Sequence, residues 1–217
     1  MLRRYVLVSA TATLVVAGLG TSTMAQVDVT FGEATNLGPI INSANGEGSP
    51  TISADGLELY FGSDRPGGHG GSDLWVSTRP STDAEWGAAE NLGPVVNSAT
   101  AEATPSISAD GLTLFFSDWG DARPGGHGSV DLWVTTRASN DDAWGEPVNL
   151  GPTINGEGFE VTPEISANGL ELYFESERPG GFGLDDLYVS TRPSTDAEWG
   201  APVNLGPTIN GELWEHC

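Results

Sequence analysis

The chain has 217 residues, of which 30 are acidic and only 8 are basic, so its formal net charge at pH 7 is −22. A surface this negative repels the phosphate backbone, which excludes nucleic acid as an expected partner. The only cysteine is Cys217, so an intrachain disulfide is excluded and the fold has to be held by packing.

The first residues have the pattern of a secretory signal peptide. Arg3 and Arg4 precede an apolar stretch over residues 5–19, and the small residues Thr23 and Ala25 place the expected cleavage before Gln26. The apolar stretch is short and contains Ser and Thr, so a membrane-spanning protein is not expected, although an uncleaved anchor is the alternative. We therefore expect residues 1–25 to be removed and the remainder to act in the periplasm or outside the cell.

A unit of about 55 residues is repeated along the rest of the chain. The tetrapeptide Asn-Leu-Gly-Pro begins at Asn36, Asn91, Asn149 and Asn204, at intervals of 55, 58 and 55 residues. Between these copies each unit contains Pro-x-Ile-Ser-Ala-(Asp/Asn)-Gly, then Leu-x-Leu-(Tyr/Phe)-Phe, and later Asp-Leu-(Trp/Tyr)-Val. Self-similarity at a fixed period of this length indicates a repeat architecture.

Each unit is predicted to form four short strands, because apolar and β-branched residues alternate with polar ones between Gly, Pro and Asp turns. In the first unit the first strand surrounds Ile52, and Asp55-Gly56 forms a tight turn into a second strand over 57–61. The third strand covers 73–79 and ends before Pro80, since proline cannot donate to a ladder. The fourth strand is expected over about 86–92.

The sequence Ser-Pro-x-Ile-Ser-x-Asp-Gly-x-x-Leu-Tyr-Phe, followed by Ser-Asp-Arg-Pro-Gly-Gly and Asp-Leu-Trp-Val, resembles the WD40-like (PD40) repeat of TolB-type β-propellers. The resemblance covers residues 36–210. It implies an all-β fold of four-stranded antiparallel blades in an exported protein that offers a propeller face to a protein or glycan partner. Propellers host unrelated activities, so the resemblance specifies architecture better than function.

The repeat boundaries divide the chain into a signal peptide (1–25), an N-terminal closing strand (26–36) and three full blades (37–92, 93–150 and 151–205). Residues 206–217 are the start of a truncated fourth blade. Propellers close with four to eight blades, so three blades predict an open arc or part of a larger ring. Either the chain is a fragment of a longer gene product, or two copies pair into a six-bladed ring. Unpaired blade edges favour self-association.

Two groups of residues are candidates for contact with a ligand or cation. A glutamate recurs five residues after an Asn in each unit, and we expect these carboxylates to cluster at one mouth of the central channel of the propeller. There they either attract a cation or accept hydrogen bonds from the loop backbone of a neighbouring blade. They are Glu47, Glu102, Glu160 and Glu215. The second unit carries three extra residues. Asp118, Trp119 and Asp121 belong to this longer loop. The loop either stacks on carbohydrate or contacts a partner, or it is only a variation in loop length.

The remaining polar residues recur in every unit, which indicates structural roles. The aspartates that start the third strands and the arginines six residues later are expected to form ion pairs within or between blades. These residues are Asp73, Asp131, Asp186, Arg79, Arg137 and Arg192, with Arg65, Arg123 and Arg178 recurring as well.

No catalytic, cofactor or metal site is predicted. His69 and His127 occupy equivalent loop positions, but the third unit has Phe182 there. We therefore expect a non-catalytic binding or scaffold module, and the alternative is a fragment of a propeller-fold glycoside hydrolase or lyase. The sequence Ser53-Ala54-Asp55-Gly56 lacks the spacer and the Trp of a sialidase Asp box, which counts against that alternative.

Overall fold

The computed structural model describes residues 32–119 and 123–212. The predicted signal peptide, residues 26–31 of the closing strand and residues 213–217 lie outside this part, and residues 32–36 form no strand. The compact unit begins at Leu37. Among the described residues, no helix has the length and apolar character needed to cross a membrane.

In the described part of the chain, twelve strands form three four-stranded antiparallel sheets, each in chain order, which confirms the predicted all-β class. Blade 1 contains β1 (Glu47–Ile52), β2 (Glu58–Ser63), β3 (Asp73–Thr78) and β4 (Glu90–Asn91). Blade 2 contains β5 (Ala101–Ile107), β6 (Thr113–Trp119), β7 (Val130–Thr136) and β8 (Val148–Asn149). Blade 3 contains β9 (Glu160–Ile165), β10 (Glu171–Ser176), β11 (Asp186–Thr191) and β12 (Val203–Asn204).

The turn between the first two strands forms where Asp55-Gly56 predicts it. Gly56 has φ +74°, a left-handed conformation that favours glycine. The Asp55 carboxylate accepts hydrogen bonds from the Leu57 amide (3.0 Å) and the Ser53 hydroxyl (2.6 Å). The side chain thus fixes the turn, as Asp and Asn do in Asx turns.

The fourth strand is shorter than predicted. In blade 1 only Glu90 and Asn91 pair in the regular ladder, opposite Val76 and Trp75. The Gly87 amide still donates to the Thr78 carbonyl (2.8 Å), so the chain already touches the end of β3 before the ladder begins. The prediction of a fourth strand over 86–92 was therefore too long. The alternation of apolar and polar residues does not reveal where the hydrogen-bond ladder of an edge strand ends.

The blades pack on one another in chain order through apolar faces, and each pair of packed faces is called a seam. The seam between blades 1 and 2 buries Tyr60, Leu74, Val96, Ile107, Leu114, Phe116 and Trp133. The seam between blades 2 and 3 buries Phe115, Leu132, Ile154, Ile165, Leu172, Phe174 and Tyr188. In the described part of the chain, no strand of blade 1 contacts a strand of blade 3.

A bidentate ion pair crosses the seam between blades 1 and 2. The Arg137 guanidinium donates to both carboxylate oxygens of Glu58, at 2.6 and 3.1 Å, and lies over the Trp144 ring at 4.6 Å. The next seam lacks this pair, because Thr113 stands where blade 1 has Glu58. Burial lowers the pKa of Arg192, and Asp196 offsets only part of this effect.

Introducing the missing carboxylate should stabilise the fold. We expect Thr113→Glu to raise the free energy of unfolding by about 0.5 kcal/mol, because it supplies Arg192 with the partner that Arg137 has in Glu58. Urea denaturation followed by circular dichroism measures the change, with Thr113→Gln as the uncharged control. Equal effects of the two substitutions would contradict an ion pair at this seam.

Candidate functional site

The three described glutamates of the recurring set sit at the starts of the first strands, and each receives an arginine from the loop after the second strand. The N–O distances are 3.2 Å for Arg65–Glu47, 3.1 Å for Arg123–Glu102 and 3.2 Å for Arg178–Glu160. Each arginine also donates to a carbonyl of the segment that enters the blade, at Ile41, Val96 and Ile154. These contacts tie the entering segment to its blade.

These glutamates are bonded to residues of their own repeat units, and their position around a channel mouth stays a prediction. Glu102 and Glu160 are both 0% exposed, and each is bonded within its own repeat unit. No group of three or more His, Cys, Asp or Glu side chains able to hold a metal ion occurs within 32–119 and 123–212. Glu215 lies outside the described residues.

Blade 2 differs from its neighbours by a second carboxylate that binds the same arginine. Asp118 pairs opposite Glu102 in the strand register, where the other blades have Ser63 opposite Glu47 and Ser176 opposite Glu160. Arg123 donates to both acids, to Asp118 at 2.6 Å and to Glu102 at 3.1 Å. Asp118 is only 2% exposed, and its carboxylate is held in the ion pair with Arg123.

The buried site and the extra carboxylate both act on the pKa of Glu102. Burial and the charge of Asp118 raise the pKa of Glu102, and Glu102 Oε2 is buried without a hydrogen-bond partner. In blade 1, burial also acts to raise the pKa of Glu47. Hydrogen bonds from Ser43 and Ser63 and the charge of Arg65 outweigh it, so the pKa is lowered.

The aspartates that begin the third strands bind backbone amides in place of the expected ion pairs. The Asp73 carboxylate accepts hydrogen bonds from His69 N (2.5 Å), Gly70 N (3.1 Å) and Asn91 Nδ2 (2.8 Å). The arginines six residues later stack on the Trp that follows, as Arg79 does over Trp86 at 4.3 Å. The prediction of recurring ion pairs is confirmed for Arg65, Arg123, Arg137 and Arg178.

A buried asparagine in the segment that follows each blade has a role that sequence reasoning missed. Asn97 accepts from the Leu74 amide (2.8 Å) and donates to the Leu74 carbonyl (3.1 Å), which imitates one residue of a pairing strand. Asn155 and Asn210 make the same contacts with Leu132 and Leu187. The signal was the fixed spacing between each Asn and the following Glu.

Two aromatic side chains that depart from the repeat meet at the junction of blades 2 and 3. Trp119 is 46% exposed, and its ring centroid lies 6.0 Å from that of Phe159 with the planes at 30°. Phe159 is half-buried and precedes β9, at a position where the other units have Gly46 and Ala101. Asp121, predicted beside Trp119, lies outside the described residues.

Two acidic residues lie beside Phe159. The Glu177 amide donates to the Phe159 carbonyl at 3.3 Å, and Glu177 is exposed. Partial burial, the charge of Asp185 and a hydrogen bond to it raise the pKa of Glu177. Asp185 is 7% exposed and has one buried oxygen without a partner. Trp119, Phe159, Glu177 and Asp185 together are called the aromatic patch.

No family model matches the sequence, and no curated protein matches it. Solved structures match by shape. TolB from Acinetobacter baumannii has a TM-score of 0.52 at 14% identity, covering 79% of this chain and 35% of that chain. A thermostable family-43 glycoside hydrolase has a TM-score of 0.50 at 12% identity, covering 75% and 54%. An α-L-arabinofuranosidase from Lactobacillus brevis has a TM-score of 0.50 at 14% identity, covering 77% and 55%.

The chain has a β-propeller fold. The three similar structures and the three four-stranded antiparallel sheets agree on this, which confirms the architecture that the repeat predicts. The chain spans between about a third and just over half of the length of these proteins. At identities this low the likeness is one of fold, and function has to be argued from the residues of the site.

Proposed function

We propose that this chain is an exported, non-catalytic β-propeller module that binds a carbohydrate through the aromatic patch. The observation that carries the proposal is the ring pair formed by the exposed Trp119 and the half-buried Phe159. In a repeat protein, residues that serve the fold recur in every unit. Here two residues from different units both depart from the repeat, and they meet at one place on the surface.

The chemistry of the patch suits a sugar. An aromatic face packs against the C–H face of a pyranose, while acceptor groups at its edge bind the hydroxyls. Glu177 supplies carboxylate oxygens beside Phe159. Because the chain carries a net charge of −22, an acidic polysaccharide would be repelled, so a neutral glycan is the favoured ligand class.

The burial of the other candidate acids supports binding over catalysis. Asp118, Glu102 and Glu160 are at most 2% exposed and are held by arginines, so a substrate does not reach them. Export is supported by the N-terminal sequence pattern and by the resemblance of the repeat to TolB-type proteins.

One observation favours the second candidate function, a piece of a glycoside hydrolase or lyase. The exposed Glu177 has a raised pKa, and a carboxyl with a raised pKa is suited to act as the general acid in glycoside cleavage. Release of reducing ends from neutral oligosaccharides that is lost in Glu177→Gln would establish this function in place of the binding module.

Removing the Trp119 ring tests the binding proposal. We expect Trp119→Ala to weaken binding of neutral oligosaccharides by at least about fivefold, because one stacked aromatic anchor contributes more than about 1 kcal/mol. Isothermal titration calorimetry against cello-, xylo-, manno- and chito-oligosaccharides provides the measurement.

Phe182→Ala is the matched control for this test. Phe182 is 48% exposed, close to Trp119 in exposure, but lies in the glycine-rich loop of blade 3. We expect this variant to bind like the wild type. Binding that survives Trp119→Ala, or that falls equally in both variants, would contradict a site at the aromatic patch.

A further inference from the structure

The seam between blades 1 and 2 shows which residues one blade needs from the next. Blade 1 contributes Glu58, Tyr60 and Leu74, which we call its forward face. Blade 2 contributes a backward face that contains Ile107, Arg137 and Trp144, with Leu114, Phe116 and Trp133 beneath them. When the two faces meet, Tyr60 and Leu74 are 1% and 0% exposed, and the ring centroids of Tyr60 and Trp144 lie 6.1 Å apart in a T-shaped arrangement.

The forward face of blade 3 repeats that of blade 1 residue for residue. Glu171, Tyr173 and Leu187 occupy the corresponding positions, and the Tyr173 hydroxyl donates to Glu171 (3.3 Å) as the Tyr60 hydroxyl does to Glu58 (3.2 Å). No other described strand covers this face, so Tyr173 and Leu187 are only half-buried.

The backward face of blade 1 is the matching half. Ile41, Leu59, Phe61 and Trp75 form a buried cluster with Trp86 at its edge, as their equivalents do in blade 2. Without a blade packed against it, Ile52 is 49% exposed, whereas its equivalents Ile107 and Ile165 are 8% and 6% exposed.

The charges on the two uncovered faces are complementary. Arg79 is already held as Arg137 is, donating through Nε to the Gly56 carbonyl (2.8 Å) and stacking on Trp86. Arg137 makes the same contacts with Gly111 and Trp144 and has Glu58 as its partner across the seam. Glu171 on blade 3 is the carboxylate that matches Arg79, whereas blade 2 has Thr113 at that position.

We propose that a second copy of this chain docks head to tail, with the forward face of blade 3 of each copy packed on the backward face of blade 1 of the other. The two new seams repeat the seam between blades 1 and 2, and Glu171 of one copy pairs with Arg79 of the other. Two copies then make a cyclic array of six blades, within the four to eight of known propellers. This proposal does not depend on the carbohydrate site.

Light scattering coupled to size-exclusion chromatography tests the pairing. The chain purified from Gln26 onward should have twice the mass of a single copy of that length. Arg79→Glu and Glu171→Arg should each raise the dissociation constant at least about tenfold, because each places like charges across the seam. The double variant Arg79→Glu/Glu171→Arg should restore the dimer, since the exchanged charges attract again.

Glu146→Arg serves as the control, because it makes the same charge change at an exposed position of blade 2. It should leave the mass unchanged. Three results would overturn the proposal: the mass of one copy at all concentrations, a ladder of larger oligomers, or a dimer that neither single substitution weakens. Unchanged circular dichroism of the variants shows that they remain folded.

Discussion

Replacing Phe116 with alanine is expected to lower the free energy of unfolding by about 3–5 kcal/mol, the cost of truncating a fully buried phenylalanine. Phe116 is 0% exposed and packs in the seam between blades 1 and 2 against residues of both. Its ring also lies 5.7 Å from the Arg123 guanidinium, so truncation removes a cation–π contact with the buried ion pair. Urea denaturation followed by circular dichroism measures the loss.

The exposed Phe182 provides the matched control for this truncation as well. Phe182→Ala removes the same number of atoms from a ring that is 48% exposed, and the expected change is within about 0.5 kcal/mol. If Phe116→Ala cost less than about 1 kcal/mol, the seams would not be the source of the stability of this fold.

Glu160→Gln should lower the free energy of unfolding by about 1–3 kcal/mol at pH 7, because it removes a buried hydrogen-bonded charge. The Glu160 carboxylate accepts from Gly156 N (2.7 Å), Ser176 Oγ (2.7 Å) and Arg178 Nη2 (3.2 Å). The glutamine side chain of the variant carries no charge, so the Arg178 guanidinium is left without a charged partner in a partly buried site.

Glu102→Gln, at the equivalent position of blade 2, should not lower the free energy of unfolding. Arg123 is shared by Glu102 and Asp118, so removing one negative charge leaves one cation with one carboxylate. We expect this variant to be as stable as the wild type at pH 7 or more stable. A loss as large as that of Glu160→Gln would contradict the shared-arginine interpretation.

The pH dependence of stability provides an independent check on Glu102. Its pKa is raised in the fold, so the folded state favours the protonated acid. The stability contributed by this group is fully present below its ordinary pKa of 4.5 and is lost as the pH rises through the folded value. The melting temperature of Glu102→Gln should therefore fall less than that of the wild type above pH 4.5.

Much of the fold is predictable from the sequence because the same pattern of strands and turns occurs in three successive units. The turn at Asp55-Gly56 depends only on neighbouring residues, so local chemistry is sufficient. The fourth strand was predicted too long, because pairing over 86–92 depends on the register against β3. Register is a property of the folded hairpin and is not written in the alternation of apolar residues.

The site was less predictable because its contacts join distant residues. Arg123 and Glu102 are 21 positions apart, and the pairing of Glu102 with Asp118 depends on the register of β5 and β6. The same holds for Trp119 and Phe159, which come from different blades. Sequence comparison between units identified Trp119 as a departure, but only the folded seam brings it to Phe159.

The central claim is that a neutral glycan binds at the aromatic patch, and the indole N–H resonances test it most directly. The chain contains seven tryptophans, and the resonance missing from Trp119→Phe identifies Trp119. During titration with the best-binding oligosaccharide, we predict that the Trp119 signal shifts while the buried Trp75 and Trp133 signals stay in place. A titration in which Trp119 does not move, or in which other indoles move instead, would contradict the claim.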